Sequence, residues 1–369
     1  MKSEVSIGHT GRKVYLDPLR IIAAFFVIFN HTRTNGFFLF AEREWGSPAF
    51  WCYLFFSVFC KVSVPLFLAI SGALMLHRED EPLSILWRKR IARILGILVL
   101  FVAGNALLDR FVFHKSVSLS ELWKALYTGG SAGQTYWYGH LWYLYTYIAF
   151  LCSLPFLRSL VKNLENRYFL YMICIAVTVE GILPAVQYLL SEGAVSLNGS
   201  AVPGWLLSDI VLYPCIGYYL EHRVSVRKRH LLWLWMANFA GFAVTELLIY
   251  RQAVLTQVLN AEVSQGFHSI FVTINCICVF LTAKYCFTAF RIPQWLKKAI
   301  HSVGQCSFGI YLIHVMIQES EAMATLLLQL SIRINSLLSC FIQCFCVMLI
   351  GYGVTLILRK IPFIGKLIS

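Results

Sequence analysis

Long apolar runs alternate with short polar segments along the whole chain. Most of these runs reach the length of about 20 residues that an α-helix needs to cross the hydrocarbon core of a membrane. We predict ten helical spans, at residues 15–37, 49–76, 90–110, 136–157, 168–190, 205–220, 231–250, 267–288, 299–318 and 335–358. The pattern therefore predicts an all-α fold, a polytopic membrane helix bundle forming one domain over residues 1–369.

The composition excludes a soluble globular protein. Of the 369 residues, 59% are hydrophobic and 13% are charged, whereas soluble domains average about 25% charged residues. The first span carries Asp17 and Arg20 and lacks a small-residue cleavage site, so we interpret it as a membrane anchor instead of a cleaved signal. We expect a multi-pass protein of the cell membrane with no soluble extracytoplasmic domain.

Lysine and arginine are divided unevenly between the two sets of connecting segments. The set that includes both termini holds 22 of them, and the alternate set holds 7. This asymmetry predicts that both termini are cytoplasmic. It also accounts for the net charge of +13, and we predict no nucleic-acid partner, because no basic cluster alternates with base-stacking aromatics.

The cysteines indicate no metal or disulfide chemistry, and the prolines predict bends in the helices. The twelve cysteines lie in or beside apolar spans without a Cys-x-x-Cys motif, so we predict packing roles, no disulfide framework and no metal site. Pro65, Pro155, Pro184 and Pro214 predict bends in the second, fourth, fifth and sixth spans. The polar segment 111–135 is interpreted as the longest outward loop.

Two ionisable residues lie inside the first span. Arg20 and His31 are eleven positions apart, so both side chains project from one helix face, roughly 16 Å apart along its axis. A charge at membrane depth costs about 2.5–3.5 kcal/mol or more and is usually kept for function. We predict that His31 exchanges protons with a substrate and that Arg20 binds an anion. In the alternative interpretation, Arg20 snorkels to the interface and His31 lies at the outer rim.

Other polar residues are weaker candidates. Arg90 and Arg93 share a side of the third span and could clamp phosphates, although positive-inside anchoring explains them equally well. Lys61, near mid-membrane, either pairs with a buried carboxylate such as Glu180 or Glu246 or lines a substrate cavity.

Aromatic and histidine residues at the outer ends of two spans are the remaining candidates. His140, Trp142 and Tyr143 open the fourth span, where they form either an aromatic belt or a surface on which sugar rings stack. For Tyr311 and His314 in the ninth span we expect structural roles, because intramembrane histidines often hydrogen-bond a neighbouring helix.

Taken in order, these pieces resemble the membrane acyltransferase-3 family, specifically its branch of surface-polysaccharide O-acyltransferases. The matching pieces are Asp17-Pro18-Leu19-Arg20 with His31, Val64–Gly72, Arg90 with Arg93, Leu141–Leu144, Gly217–Leu220 and Ser307–His314. Some relatives carry an extracytoplasmic esterase-like domain after the bundle. We expect none here, so that transfer takes place in the bundle or through a separate partner.

The resemblance implies an acyl-CoA-dependent enzyme, with acetyl-CoA as the default co-substrate and no permanently bound cofactor. The CoA phosphates would meet Arg90 and Arg93, with help from Arg20. His31 would deprotonate a hydroxyl of a cell-surface or lipid-linked glycan on the outer side.

Two alternatives from other classes stay open at this point. A transporter or flippase would suit the proline-broken spans and the buried Lys61 and Glu180, although no corresponding pair of broken helices occurs in two repeated halves. The second alternative is a binding or sensory module that has the same fold and catalyses no reaction. Consumption of acyl-CoA distinguishes the enzyme from both.

Overall fold

The computed structural model describes residues 15–32, 36–111, 114, 116, 118–128, 139–191, 202–259 and 271–368. Its α-helices are Leu16–Asn30 (α1), Pro48–Cys60 (α2), Ser63–Met75 (α3), Leu83–Ile85 (α4), Ala92–Phe111 (α5), Leu119–Thr128 (α6), Trp142–Asn163 (α7), Asn166–Ala176 (α8), Leu183–Leu190 (α9), Gly204–Leu207 (α10), Asp209–His222 (α11), Lys228–Thr256 (α12), Val272–Ala289 (α13), Gln294–Gln318 (α14), Glu321–Arg333 (α15), Ser336–Leu358 (α16) and Pro362–Ile368 (α17). Two 3₁₀ stretches, Gly36–Glu42 and Gly139–Leu141, and two π-helical stretches, Leu86–Ile91 and Val177–Ile182, connect or extend them.

The all-α prediction is confirmed, and the number of spans remains a prediction. Seven helices within the described residues are long and apolar enough to cross a membrane: Pro48–Met75, Trp142–Asn163, Asn166–Leu190, Lys228–Thr256, Val272–Ala289, Gln294–Gln318 and Ser336–Leu358. The other three predicted spans also contain helices, α1, α5 and α11, but α1 and α11 have only 15 and 14 residues. Cytoplasmic termini also remain a prediction, and residues 1–14 lie outside the described residues.

Two of the predicted bends have a common cause. A proline ring inside a helix clashes with the carbonyl group four residues earlier. The second span breaks at Lys61, four residues before Pro65, which itself lies in the first turn of α3. The fifth span widens into the π-helical stretch Val177–Ile182 around Glu180, four residues before Pro184. Pro155 and Pro214, by contrast, lie inside the unbroken helices α7 and α11.

Within the segment 111–135, predicted as an outward loop, residues 119–128 form the helix α6, so the prediction of a loop is wrong there, whereas residues 112, 113, 115, 117 and 129–135 lie outside the described residues. Leu119, Trp123 and Tyr127 recur every fourth residue and are all largely exposed. The hydroxyl of Tyr145 in α7 donates to the backbone carbonyl of Ala125 at 3.1 Å and ties α6 to the bundle. A search for long apolar runs does not detect a short amphipathic helix, because only one of its faces is apolar.

Helices α3 and α11 cross at very close range. A Cβ atom at Gly72 would overlap the backbone of Pro214, and one at Gly217 would overlap the carbonyl group of Ala69. Glycine at both positions lets the two backbones touch.

Helix α1 lies among α3, α14 and α16, and most of its residues are buried. Its close approach to α14 depends on Gly304, where an added Cβ atom would stand 2.8 Å from Cβ of Asp17. The two helices that carry Arg20, His31 and His314 are therefore held side by side.

Candidate functional site

The guanidinium group of Arg20 is fixed by a buried carboxylate one turn earlier in α1. Asp17 is only 1% exposed, and its Oδ1 accepts a hydrogen bond from Nη1 of Arg20 at 2.7 Å. The other oxygen, Oδ2, lies 3.0 Å from Nδ1 of His301 in α14. Arg20 is thus held between two helices, and its side chain is partly exposed to a cavity.

This cavity has a volume of about 320 Å³ and is lined by residues of α1, α3, α5, α7 and α14 and of the carboxyl-terminal segment. Three arginines line it: Arg20, Arg93 at the start of α5, and Arg359 just after α16. We call the side of the bundle where these three lie the basic end. Tyr143, Tyr147 and Tyr311 line the cavity farther along the bundle.

Two of the three arginines have no acidic partner among the described residues. No carboxylate among the described residues lies within salt-bridge distance of Arg93 or Arg359. The recorded polar contact of Arg359 is from Nη1 to Sγ of Cys306, at 3.7 Å. Because Asp17 balances one guanidinium at most, the described residues at the basic end of the cavity carry an excess of positive charge, which suits an anion.

Arg90 does not join this group. Its Nε donates to Oε1 of Glu81 at 2.7 Å, and the same oxygen lies 3.5 Å from Nη2 of the buried Arg158. Arg90 belongs to the π-helical stretch Leu86–Ile91, in which each turn takes more residues than in an α-helix. A spacing of three residues therefore does not bring Arg90 and Arg93 to the same side, and only Arg93 lines the cavity.

Three histidines gather beyond the end of the cavity that Tyr311 lines. His31 follows the last residue of α1, and its ring centroid is 5.3 Å from that of His314. The ring of His140 is 5.1 Å from His314 on another side. His314 is fully buried and His140 is 3% exposed. The sequence suggested a structural role for His314, but the fold places it against the predicted proton-exchanging residue.

Backbone carbonyl groups determine which ring nitrogens carry protons. Nδ1 of His314 hydrogen-bonds to the carbonyl oxygen of Tyr311, and Nε2 of His140 to that of Leu312 at 3.1 Å. A carbonyl oxygen only accepts, so each of these nitrogens is the donor. In the neutral rings, Nε2 of His314 and Nδ1 of His140 are therefore acceptors.

Tyr311 separates the cavity from the histidines. It lines the cavity, it lies one helical turn before His314, and its hydroxyl group donates to the backbone carbonyl of His140. The ring centroids of Tyr311 and His314 are 5.9 Å apart. The candidate site consequently has two parts, a cavity with three arginines in its lining and a histidine cluster, with the ring of Tyr311 between them.

The other candidates from the sequence are more scattered. Tyr143 is buried, lines the cavity, and its ring centroid is 5.6 Å from that of Tyr311, whereas Trp142 is 44% exposed. Lys61 follows the last residue of α2 and Glu180 lies in a π-helical stretch, and neither lines the cavity.

Sequence reasoning missed Arg359 as a site residue. It counted only as one of the basic residues after the last span, and nothing in its local sequence distinguishes it from Lys360. Only the packing of α16 beside α14 brings it to the cavity.

The chain was compared with models of protein families, with curated proteins and with solved structures. A family model described as an acyltransferase domain matches residues 13–360, a range that includes both parts of the candidate site. No curated protein and no solved structure matches the chain. Since the family match extends over nearly the whole length, the chain belongs to the acyltransferase-3 family of membrane acyltransferases.

Proposed function

We propose that the protein is an O-acyltransferase of the cell membrane, which moves an acyl group from cytoplasmic acyl-CoA to a hydroxyl group of a cell-surface or lipid-linked glycan. Acetyl is the default acyl group, as in the branch of the family that the sequence resembles. One observation supports the proposal most strongly. The cavity has Arg20, Arg93 and Arg359 at one end, and its other end is lined by Tyr311, which lies next to the histidine cluster.

The donor that fits such a cavity is anionic at one end and uncharged at the other. Acyl-CoA carries its phosphates on a nucleotide and its thioester at the tip of a long, uncharged arm. Guanidinium groups bind phosphates through charge-assisted hydrogen bonds. Arg93 and Arg359, which have no carboxylate partner among the described residues, are the main candidates. In this proposal, Arg359 has the phosphate-binding role that the sequence analysis predicted for Arg90.

His31 supplies the proton transfer. It removes the proton from the acceptor hydroxyl, whose oxygen attacks the thioester carbonyl carbon. The carbon–sulfur bond then breaks, and the protonated His31 gives its proton to the departing thiolate, so the products are an ester and free CoA thiol. The thioester reaches His31 by passing the ring of Tyr311, over a distance comparable with the rise of about 16 Å between Arg20 and His31.

The acceptor approaches from the end of α1 opposite to the basic end, because His31 follows the last residue of that helix. The exposed Trp142 and the buried Tyr143 begin α7 close to the same level, and their rings suit stacking on a sugar. With the positive-inside orientation, this end faces the outside of the cell. The acyl group would cross the membrane while CoA stays in the cytoplasm.

The experiment compares two acetyl thioesters with the same pantetheine arm, of which only one carries the nucleotide and its phosphates. The full-length protein in lipid nanodiscs is given acetyl-CoA or S-acetyl-pantetheine, with chitotriose and water as acceptor probes. Released CoA or pantetheine is measured by chromatography, because the chain's twelve cysteines would react with a thiol reagent. Arg93→Ala and Arg359→Ala should each raise KM about tenfold for acetyl-CoA, equivalent to about 1.4 kcal/mol, and leave KM for S-acetyl-pantetheine unchanged.

Lys162→Ala is the matched control. This lysine donates to Asp80 at 2.8 Å, is exposed, and lies in α7 on the side of Arg158; its loss should not affect KM for either donor. Equal KM increases for both donors would contradict phosphate binding by the arginines. Failure of the folded wild-type protein to release CoA would favour the transporter alternative.

A further inference from the structure

His314 is the buried group of the histidine cluster that the proposed reaction does not yet use. Its Nε2 atom is fully buried and makes no hydrogen bond with any of the described residues. Buried polar atoms are nearly always hydrogen-bonded, so an acceptor left without a donor in this position calls for a donor close enough to pair with it after a small rearrangement.

The tautomers limit which neighbour can be that donor. Nδ1 of His314 already donates to the carbonyl oxygen of Tyr311, so Nε2 can only accept while the ring is neutral. His140 uses its own N–H on the carbonyl oxygen of Leu312, which makes its other nitrogen an acceptor too. Two acceptors do not bond to each other. The hydroxyl of Tyr311 is also committed, since it donates to the carbonyl oxygen of His140.

His31 remains as the ring in contact that can donate. Its centroid lies 5.3 Å from that of His314, with the ring planes inclined at 54°. An N–H···N hydrogen bond of about 3 Å between two imidazole rings gives a centroid separation of about this size when the nitrogens face each other. The two rings are in contact without a hydrogen bond between them in the structure, so the bond requires a rotation of the partly exposed His31 ring that brings the nitrogens to face each other.

We propose that His314 is a positioning residue for His31: its Nε2 accepts the N–H of His31, which leaves the other nitrogen of His31 facing the acceptor hydroxyl as the base. This role rests on the proposed function. When His31 takes the hydroxyl proton, the positive imidazolium keeps its hydrogen bond to Nε2 of His314, and the proton then passes to the CoA thiolate. His314 itself gains and loses no proton.

Two amide substitutions separate this role from simple packing. His314→Gln places a carbonyl oxygen near the former Nε2 and keeps an acceptor for His31. His314→Asn keeps an N–H near the former Nδ1 for the carbonyl oxygen of Tyr311, but it has no acceptor within reach of His31. Both side chains are polar, uncharged and smaller than or similar in size to histidine, so a structural role alone predicts similar losses.

The measurement is CoA release from acetyl-CoA by the full-length variants in nanodiscs, with chitotriose and water as acceptor probes. We expect His314→Asn to lower kcat about 100-fold and His314→Gln to stay within about tenfold of the wild type, with KM for acetyl-CoA unchanged in both. If His314→Asn does not fold, His314→Ala replaces it and should show the same loss.

Equal kcat values for the Gln variant and the variant without an acceptor would overturn the positioning role, and so would a change confined to KM. Absence of CoA release by the folded wild type would overturn the proposed function and this role with it. The two failures are therefore distinguishable.

Discussion

The carboxylate of Asp17 holds the guanidinium of Arg20 at 2.7 Å, one turn apart on the same buried helix face. Asp17 also contacts His301 of α14 at 3.0 Å, so Arg20 is tied to a neighbouring helix as well as to its own. An arginine that only snorkelled to the interface would not need a buried carboxylate. The pair instead fixes one of the three cations of the cavity.

Asp17 variants test whether the hydrogen bond or the charge matters. Asp17→Asn keeps an oxygen that can accept from Arg20, whereas Asp17→Ala removes it. We expect KM for acetyl-CoA to rise about tenfold in Asp17→Ala, because Arg20 loses its fixed orientation, and to stay within about threefold in Asp17→Asn. The check is steady-state CoA release; similar KM values in both variants would show that the hydrogen bond does not position Arg20.

Arg90 and Arg93 should behave differently despite their common motif. Arg90→Ala removes the partner of Glu81 and should lower the thermal unfolding midpoint while changing KM for acetyl-CoA less than threefold. Arg93→Ala should raise KM for acetyl-CoA about tenfold and leave the thermal unfolding midpoint unchanged. Arg93 lines the cavity and has no carboxylate partner among the described residues. Thermal unfolding and CoA release on the same preparations decide between them. A KM increase of tenfold for Arg90→Ala would restore the clamp predicted from the sequence.

The crossing of α3 and α11 should tolerate no side chain at its contact point. Gly217→Ala would push a methyl group into the carbonyl group of Ala69, and overpacking of this kind costs about 1–3 kcal/mol. Gly353→Ala in α16 is the control, since a Cβ atom there meets nothing within 4 Å and alanine favours the helix by up to about 1 kcal/mol. Thermal unfolding midpoints should move in opposite directions, and a stable Gly217→Ala would contradict the close crossing.

Tyr311→Phe should affect stability more than donor binding. The ring that separates the cavity from the histidines remains, but the carbonyl group of His140 loses its donor, which costs about 1–3 kcal/mol when the group is buried. Tyr147→Phe is the comparison, because the hydroxyl of Tyr147 contacts two side chains, Sδ of Met75 at 3.6 Å and the hydroxyl of Ser71, and not a buried backbone carbonyl group. A tenfold KM change for acetyl-CoA in Tyr311→Phe would instead assign its hydroxyl to the donor.

The sequence predicted the helical class, the family and the first-helix pair, because long apolar runs and the motif around Arg20 and His31 are local signals. It also predicted bends at four prolines: the helix is interrupted four residues before Pro65 and widened four residues before Pro184, whereas Pro155 and Pro214 lie inside unbroken helices. Arg359 and His314 could not be assigned in the same way. Their roles depend on which helices pack together, and each had a sufficient local explanation, anchoring for Arg359 and packing for His314.

The π-helical stretch Leu86–Ile91 shows another limit. The prediction that Arg90 and Arg93 share a helix side assumes 3.6 residues per turn. The sequence gives no local signal that the turn before α5 is wider. Arg90 consequently pairs with Glu81 while Arg93 faces the cavity. Motifs that depend on a shared helix face are least secure where a helix begins.

The most direct test of the account is CoA release from acetyl-CoA by the full-length protein in nanodiscs, wild type against His31→Ala. The control is His230→Ala, an exposed histidine at the start of α12. We predict release by the wild type and by His230→Ala, and a loss of at least about 100-fold in His31→Ala with unchanged thermal unfolding. Wild-type turnover in folded His31→Ala would contradict the central claim.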